Sequence, residues 1–383
     1  MNMTKKHLSR IAALAAAAVI TAGVPLTMQR GAASKNQFTA LAYSATDFNY
    51  TQGSTGQLDY AKYSDHIEIL GCASGATSVE IPETIENLPV TAIARYAFQC
   101  SSLTSITLPE SIKTIGYYAF DMSNDLTTVN LPDSLELMEM NAFKQCKKLE
   151  KVTFPSHFVE IHSNCFDETP WMDAQRKKDP LVIINGALID GKTAEGKVEV
   201  PSNVKYVSSS AFARNNKLTS IVFHSNIDKV SDNTFFYCEN LTSAEFKGIT
   251  SIESMAFAYC NKLSELKISG KLNKIEDYAF ADVTASTTIT FYGSKDKWEQ
   301  IDKANNTQFF QNARMIFDES HVEDVKGDVN MDGSFNISDL VLVQKWLLAD
   351  KNTVLKNWKA ADFNSDNVLD SFDLVLMRRG LIK

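Results

Sequence analysis

The chain has 383 residues, 38 Lys and Arg against 46 Asp and Glu, and a formal net charge of −8. An acidic balance of this kind argues against nucleic acid or an anionic membrane surface as a partner. The length exceeds one ordinary domain, so two folded units are expected.

Residues 1–42 read as an export signal. Lys5, Lys6 and Arg10 form a basic start, Ile11 to Leu26 is an Ala- and Val-rich apolar run, and Ala40-Leu41-Ala42 offers a small-x-small cleavage point. The run is short for a membrane span, and no later stretch reaches eighteen apolar residues. No Cys follows it, which argues against a lipoprotein. The reading is a secreted, extracellular chain without membrane insertion. Cleavage would remove five basic residues (Lys5, Lys6, Arg10, Arg30, Lys35) and no acidic one, moving the charge from −8 to −13.

The middle of the chain repeats. Phe recurs at 98, 120, 143, 166, 212, 235, 257 and 280, at intervals of 22 or 23 with one interval of 46. Ala precedes most of them; Cys165 and Thr234 replace it in two places. Between them runs Leu-x-x-Ile-x-Leu, cleanest at Leu103, Ile106 and Leu108, and a third apolar pair such as Ile112/Ile115 falls before each Ala-Phe. A period of this length is the mark of a solenoid: one coil cannot close a core, so coils stack around a continuous apolar column. The Leu-x-x-Ile-x-Leu stretch predicts one parallel strand per coil, and Ala-Phe a turn on the opposite side with the Phe filling the column. The motif Ile-x-x-Ile-x-x-x-Ala-Phe-x-x-Cys-x-x-Leu-x-x-Ile-x-Leu-Pro resembles the BspA-like leucine-rich repeat of bacterial surface proteins. The resemblance implies a β-rich solenoid with parallel strands over residues 90–317.

Two departures frame that region. Residues 43–89, with Ile67-Glu-Ile69 and Val79-Glu-Ile81, read as an N-terminal cap. Residues 167–196 occupy the double interval and read as a helix–hairpin insertion, a polar helical run from Pro170 to Lys178 and then apolar runs flanking Asn185-Gly186, a hairpin signal. The hairpin is expected to take the place of one coil. Ile289-Thr-Phe291 reads as the last strand, covered by a helix around Trp298.

Cys100, Cys146, Cys238 and Cys260 follow the repeat Phe by two or three residues, Cys165 stands at the Ala position and Cys72 lies in the cap. Positional repetition suggests a small apolar residue is wanted there, although Cys238 and Cys260 on adjacent coils leave a disulfide open. No His falls in a nucleophile, metal or acid–base motif, and no carboxylate pair has spacing that singles it out for glycoside hydrolysis. The outward strand positions are Ser, Thr, Asn and charged residues, with Val222 among them and no aromatic, which favours a protein ligand over a polysaccharide. Tyr237 and Tyr259 align on adjacent coils, as column-edge packing or as a ligand ladder.

Residues 318–326 read as a linker. Residues 327–383 then carry one loop pattern twice, thirty-four residues apart. The first places Asp328, Asn330, Asp332, Ser334, Asn336 and Asp339 at loop positions 1, 3, 5, 7, 9 and 12; the second places Asp362, Asn364, Asp366, Val368, Asp370 and Asp373 there. Calcium takes six to eight oxygen donors, and EF-hand-type loops supply them at this spacing, position 7 through its backbone carbonyl. Gly333 and Asn367 stand at position 6, where the chain must turn with positive φ. Position 12 is Asp rather than Glu, and no long helix precedes the first loop. A duplicated loop followed by one apolar-faced helix resembles the type I dockerin family, which plugs secreted proteins into cohesin domains of cellulosome scaffoldins. The resemblance implies a small all-α module, two calcium ions, and a cohesin read by Ile337, Ser338, Gln344 and Lys345 in one copy and Ser371, Phe372, Arg378 and Arg379 in the other. These choices differ between copies, so equivalent two-fold binding is in doubt.

The sequence therefore points to a monomeric, non-catalytic component of a cellulosome-type complex, whose repeats present a surface to an unidentified protein. An adhesin for plant polysaccharide or another cell is the alternative, and a cellulosomal enzyme with a concealed active site is a third.

Overall fold

A computed structural model describes residues 50–319, 326–330, 335–364, 366 and 368–381. The export signal, residues 1–42, lies outside them, as do most of the linker (320–325), Asp332, Gly333, Ser334 and Asn367.

The repeats form a parallel β-solenoid. The Leu-x-x-Ile-x-Leu stretches give one row of strands: Ser78–Glu80 beside Ser105–Thr107, Thr128–Asn130 beside Lys151–Thr153, and a six-stranded sheet running from Gly196–Glu199 to Arg314–Phe317. Register keeps each central apolar residue over its counterpart one coil on, as with Ile221, Ala244, Leu266 and Ile289. Each coil holds a second strand, which the one-strand reading missed. The Ile-x-x-Ile pairs form short parallel bridges, Thr114–Ile115 with Leu137–Met138 and Glu160–Ile161, then Lys229–Val230 with Ser251–Ile252 and Lys274–Ile275. Two residues suffice because the second of each pair is fully buried and fixes the register.

The Ala-Phe turn forms a third ladder. Phe98, Phe120, Phe143, Phe235 and Phe257 each donate their backbone N–H to the residue before the next repeat Phe, at 2.7–2.8 Å. Two non-glycine residues flank every repeat Phe in left-handed backbone: Tyr96 and Cys100 around Phe98, Asn141 and Gln145 around Phe143, Tyr278 and Asp282 around Phe280. Left-handed backbone costs a non-glycine residue about 1–2 kcal/mol. The bends are offset by coil-to-coil hydrogen bonds that they aim, such as Tyr118 N–H to Met140 O and Tyr237 N–H to Ala258 O. Inside, the Phe rings stack along the axis, with centroids 4.7 Å apart for Phe120–Phe143 and 5.2 Å for Phe257–Phe280.

The stack is interrupted once. After Phe166, helix α1 (Pro170–Lys178) begins with Thr169 as its N-cap and Pro170 in its first turn, and Trp171 packs on Phe166. The hairpin Val182–Ile184/Ala187–Asp190 follows, with Asn185 and Gly186 both at positive φ, the geometry a two-residue hairpin turn requires. Its return strand pairs in parallel with Tyr206–Val207 and so continues the second row. Two apolar clusters meet at this point, one ending at Ile189 and the other beginning at Leu188. A half-buried ion network around buried Asp190 ties the insertion down. Arg176 grips both oxygens of buried Asp190 at 2.9 and 2.6 Å and reaches Asp167 at 2.7 Å, while Lys192 reaches Asp167 at 2.6 Å.

At the far end the expected last strand, Thr288–Tyr292, is the penultimate one. Helix α2 (Lys295–Gln300, with Trp298 buried) and helix α3 (Thr307–Asn312) intervene, and Arg314–Phe317 then adds one more parallel strand. Phe309 of α3 extends the ring stack onto Phe280 at 4.2 Å.

The cysteine reading also changes. All six are free, as expected, but most residues third after a repeat Phe are hydrogen-bond donors rather than apolar fillers, Val283 being an exception. Cys146, Cys238 and Cys260 donate Sγ–H to the repeat Phe carbonyl one coil back at 3.0–3.1 Å, and Ser123 does the same with its hydroxyl at 2.7 Å. Burial pushes the Cys146, Cys165 and Cys238 thiols up to about 12.

Candidate metal centre and partner surface

The C-terminal module is two copies of one unit. Helix α4 (Ile337–Leu347) follows the first loop and helix α5 (Ser371–Leu381) the second, each eleven residues long. Val343 and Met377, thirty-four residues apart, are both fully buried, with Val329, Ala361 and Leu369 completing a small core. Phe335 and Phe363 bring the loops together, rings 5.5 Å apart. Gly327, at φ 98°, lies where any side chain would run into the Phe335 ring.

Loop position 12 organises each unit. Asp339 is fully buried; its Oδ1 accepts from the backbone N–H of Val329 and Asn330 at 3.1 and 3.2 Å, and its Oδ2 from that of Asn336 at 3.0 Å. Asn336 caps α4 in return, completing a capping box. Asp373 repeats the pattern with Phe363, Asn364 and Asp370 at 2.9, 3.3 and 3.0 Å. Each Asp reaches from the helix start back to the loop start, at the position where EF-hand loops of the same length carry Glu.

The remaining donors lie on the same closed loop. Asp362 and Asn364 accept from the Asp366 N–H at 3.1 and 3.0 Å, Asp366 from Val368 N–H at 2.8 Å, and Asp370 from Phe372 N–H at 2.7 Å. In the first loop Asp328 is buried and Asn330 half-buried, while Asp332 and Ser334 lie outside the described residues. Among the described residues no three His, Cys, Asp or Glu side chains converge as a metal cluster. The donors are instead carboxylate, amide and carbonyl oxygens on a twelve-residue turn, a hard set that fits calcium in kind and spacing.

All eight residues expected to read a partner are exposed: Ile337, Ser338, Gln344 and Lys345 on or beside α4, and Ser371, Phe372, Arg378 and Arg379 on α5. Val341, Leu348 and Val375, which the sequence places among the apolar residues of these two segments, are exposed as well. Their helical spacing from Ile337 and Ser371 was the signal available.

The solenoid holds no comparable constellation among its described residues. His66, His162 and His224 each meet one carboxylate, and His157 a backbone carbonyl. An open cleft of about 520 Å³ beside α1 is lined by Asp167, Arg176 and Lys192, whose charges are already spent on one another. Tyr237 and Tyr259 stack at 4.2 Å with Arg214 over Tyr237, so the rings pack on one another along the edge of the column. Among the described residues no helix is long and apolar enough to cross a membrane.

A parallel β-solenoid of coils about 23 residues long, followed by a duplicated loop–helix module with cation-type loops, defines a repeat protein that carries its own docking unit. Residues 71–175 and 192–312 match the BspA type leucine-rich repeat region, in six copies, and residues 326–382 match the dockerin type I domain. The chain belongs to the BspA-type leucine-rich repeat family and ends in a type I dockerin. Type I dockerins bind calcium and imply a cohesin partner, and both parts are typical of extracellular or cell-surface bacterial proteins. Neither domain type is catalytic.

Similar solved structures are bacterial leucine-rich repeat proteins. A leucine rich cell surface protein of Faecalibacterium prausnitzii is 19% identical, covering 66% of this chain and 98% of its own, with a TM-score of 0.33. The T. pallidum leucine rich repeat protein is 24% identical over 56% of this chain and 91% of its own, TM-score 0.33. A leucine-rich repeat protein of Bacteroides capillosus is 27% identical over 31% and 93%, TM-score 0.29. No curated protein matches the chain in sequence.

Proposed function

We propose that this protein is an exported, non-catalytic component of a cellulosome-type assembly, held to a scaffoldin cohesin by its calcium-loaded dockerin. In this reading residues 1–42 are removed on export, 43–89 cap the solenoid, 90–317 form the repeats with the insertion at 167–196, and 318–326 link them to the dockerin at 327–383. Two calcium ions are held, one by Asp328, Asn330, Asp332, Ser334, Asn336 and Asp339, the other by Asp362, Asn364, Asp366, Val368, Asp370 and Asp373. The observation that carries the reading is the duplicated loop closed by a fully buried position-12 Asp, with an exposed helix face after each loop. Metal bound there supplies folding energy that the small apolar core around Val343 and Met377 cannot.

The repeats then act as a recognition surface for another protein. Their inward positions are consumed by the column, and the outward ones suit a broad polar contact. Support comes from the Ser, Thr and charged strand face, where Lys267 pairs with Glu265 at 3.1 Å and Ser243 with Ser220 at 2.8 Å. The test has two arms. The chain is arrayed against type I cohesins with calcium and with chelator, and assayed on plant polysaccharides, peptides and esters. Calcium-dependent cohesin binding without hydrolysis supports the reading. Hydrolysis lost on changing one carboxylate or His would make it an enzyme, and retention on washed cellulose or xylan an adhesin.

A further inference from the structure

Strand Arg314–Phe317 is the last of the six-stranded row, so only one of its edges is paired. Arg314 and Asp318 donate their N–H groups back to Thr287 and Phe291, at 2.9 and 3.0 Å. In a parallel ladder alternate residues face opposite ways, so Met315 and Phe317 turn their N–H and C=O groups outward. Among the described residues those groups meet no hydrogen-bond partner. An open edge of this kind is a template for a further strand unless charge, proline or a bulge blunts it. Strand Thr51–Thr55, which ends the other row near the N-terminus, is polar or glycine at every position. Arg-Met-Ile-Phe has no proline and pairs without a bulge, and Ile316 in its middle is 39% exposed.

We propose that this edge pairs with the same edge of a second copy, antiparallel and about a two-fold axis through Ile316. Two solenoids then join tail to tail, in place of the monomer that the sequence suggests. Nothing in this depends on the cohesin reading. The occupant follows from the strand's own residues. In an antiparallel pair the outward Met315 and Phe317 must stand opposite outward residues of the other copy. With Ile316 on the axis, Met315 meets Phe317 of the second copy and the two exchange both backbone hydrogen bonds, once on each side of the axis. Arg314, Ile316 and Asp318 share the outer face. There Ile316 meets its own equivalent, and Arg314 stands opposite Asp318 of the second copy. These are the close, non-hydrogen-bonded pairs, where opposite charges stabilise. The next allowed register on either side sets Ile316 against Arg314 or Asp318 instead. An isologous contact closes on itself, so the assembly stops at two. A four-residue strand is short against the about 1,600 Å² of a standard interface, so the dimer is weak and concentration-dependent. Both chains continue from the seam at Glu319, so two C-terminal modules leave one junction.

The experiment is sedimentation velocity of the full chain with calcium, from about 1 to 200 μM, the range in which small interfaces form. The wild type should pass from monomer to dimer and go no further. Ile316→Lys, which sets two ammonium groups on the axis, should weaken the dimer about tenfold. Arg314→Asp and Asp318→Arg should each do the same alone, because like charges then face each other on both sides of the axis. Mixed in equal amounts, those two variants should associate again, to within about threefold of the wild type, because every facing pair is opposite in charge once more. Thermal melting confirms that each variant is folded, and the mixture reads the register even if Ile316→Lys does not fold. A wild-type chain still monomeric at the top of the range would overturn the proposal, and protection of the Met315 and Phe317 amides from hydrogen exchange in that monomer would show that the chain covers the edge itself. Mass growing past the dimer would overturn it in favour of head-to-tail stacking onto Ser78–Glu80 of another copy. A dimer indifferent to all three variants, or not restored by mixing, would place the contact elsewhere.

Discussion

Replacing Phe143 by Ala tests whether the ring stack carries the solenoid's stability. Phe143 is fully buried, with Phe120 4.7 Å away on one side and Phe166 5.6 Å on the other, both nearly parallel at 2°. An aromatic side chain buries about 150–250 Å², which at about 25 cal/mol per Å² is about 4–6 kcal/mol gross. Ala retains the Cβ and the column relaxes in part, so the expected loss is about 3–5 kcal/mol. Phe98 begins the stack and meets only Phe120, at 5.0 Å. Its truncation should cost about 1 kcal/mol less, the worth of one aromatic pair. Phe158 is 42% exposed and serves as the control, at about 1 kcal/mol or less. Urea unfolding of the full chain with calcium, followed by near-UV circular dichroism, gives the three midpoints. If Phe143→Ala costs no more than Phe158→Ala, the rings are passengers and the column is held by its strand ladders alone.

Arg176→Ala should destabilise the repeats, by less than the about 3–5 kcal/mol of an unpaired buried charge, because it leaves the buried Asp190 carboxylate with Lys192 alone at 3.6 Å; thermal denaturation checks this. Burial pushes the Asp167 carboxyl up, but Lys192 and Arg176 outweigh it and hold the group below its ordinary 3.8. Its contribution is therefore complete above 3.8 and lost progressively as pH falls from there through the lowered folded value. The wild-type melting temperature should drop below about pH 4 more steeply than that of Arg176→Ala. Asp373→Ala should abolish α5 helicity even with calcium present, since three backbone N–H groups lose their acceptor; Ser371→Ala, at an exposed position, should keep it by far-UV circular dichroism. Native alkylation at pH 8 should label Cys100, which is exposed, and spare Cys146, Cys165 and Cys238, whose thiols stay protonated and buried; peptide mass spectrometry reads this directly.

The column was legible because its signal is periodic and repeated: eight Phe residues at one spacing leave little freedom in where the coils stack. The second strand of each coil was harder to see. Two residues such as Thr114–Ile115 carry no alternation, and only the neighbouring coil makes them a strand. The paired left-handed bends escaped notice because Tyr, Met, Gln and Glu occupy them, where glycine would have announced the conformation. The cysteines misled for a related reason, since Cys, Ser and Thr look interchangeable by size, and only the carbonyl one coil back shows that a donor is required. Arg314–Phe317 lacks the repeat motif and is a strand because Thr288–Tyr292 offers it an edge. In the dockerin the helix after each loop could be read from spacing. The triple backbone cap made by Asp339 and Asp373 could not, because it depends on how the loop closes.

The central claim is that calcium builds the C-terminal module. Far-UV circular dichroism of residues 327–383, stripped with chelator and titrated with calcium, tests it most directly. Helices of eleven residues do not persist alone in water, so little helix is expected without metal, with a cooperative rise that saturates near two equivalents. Equal helicity in chelator and in calcium would contradict the account.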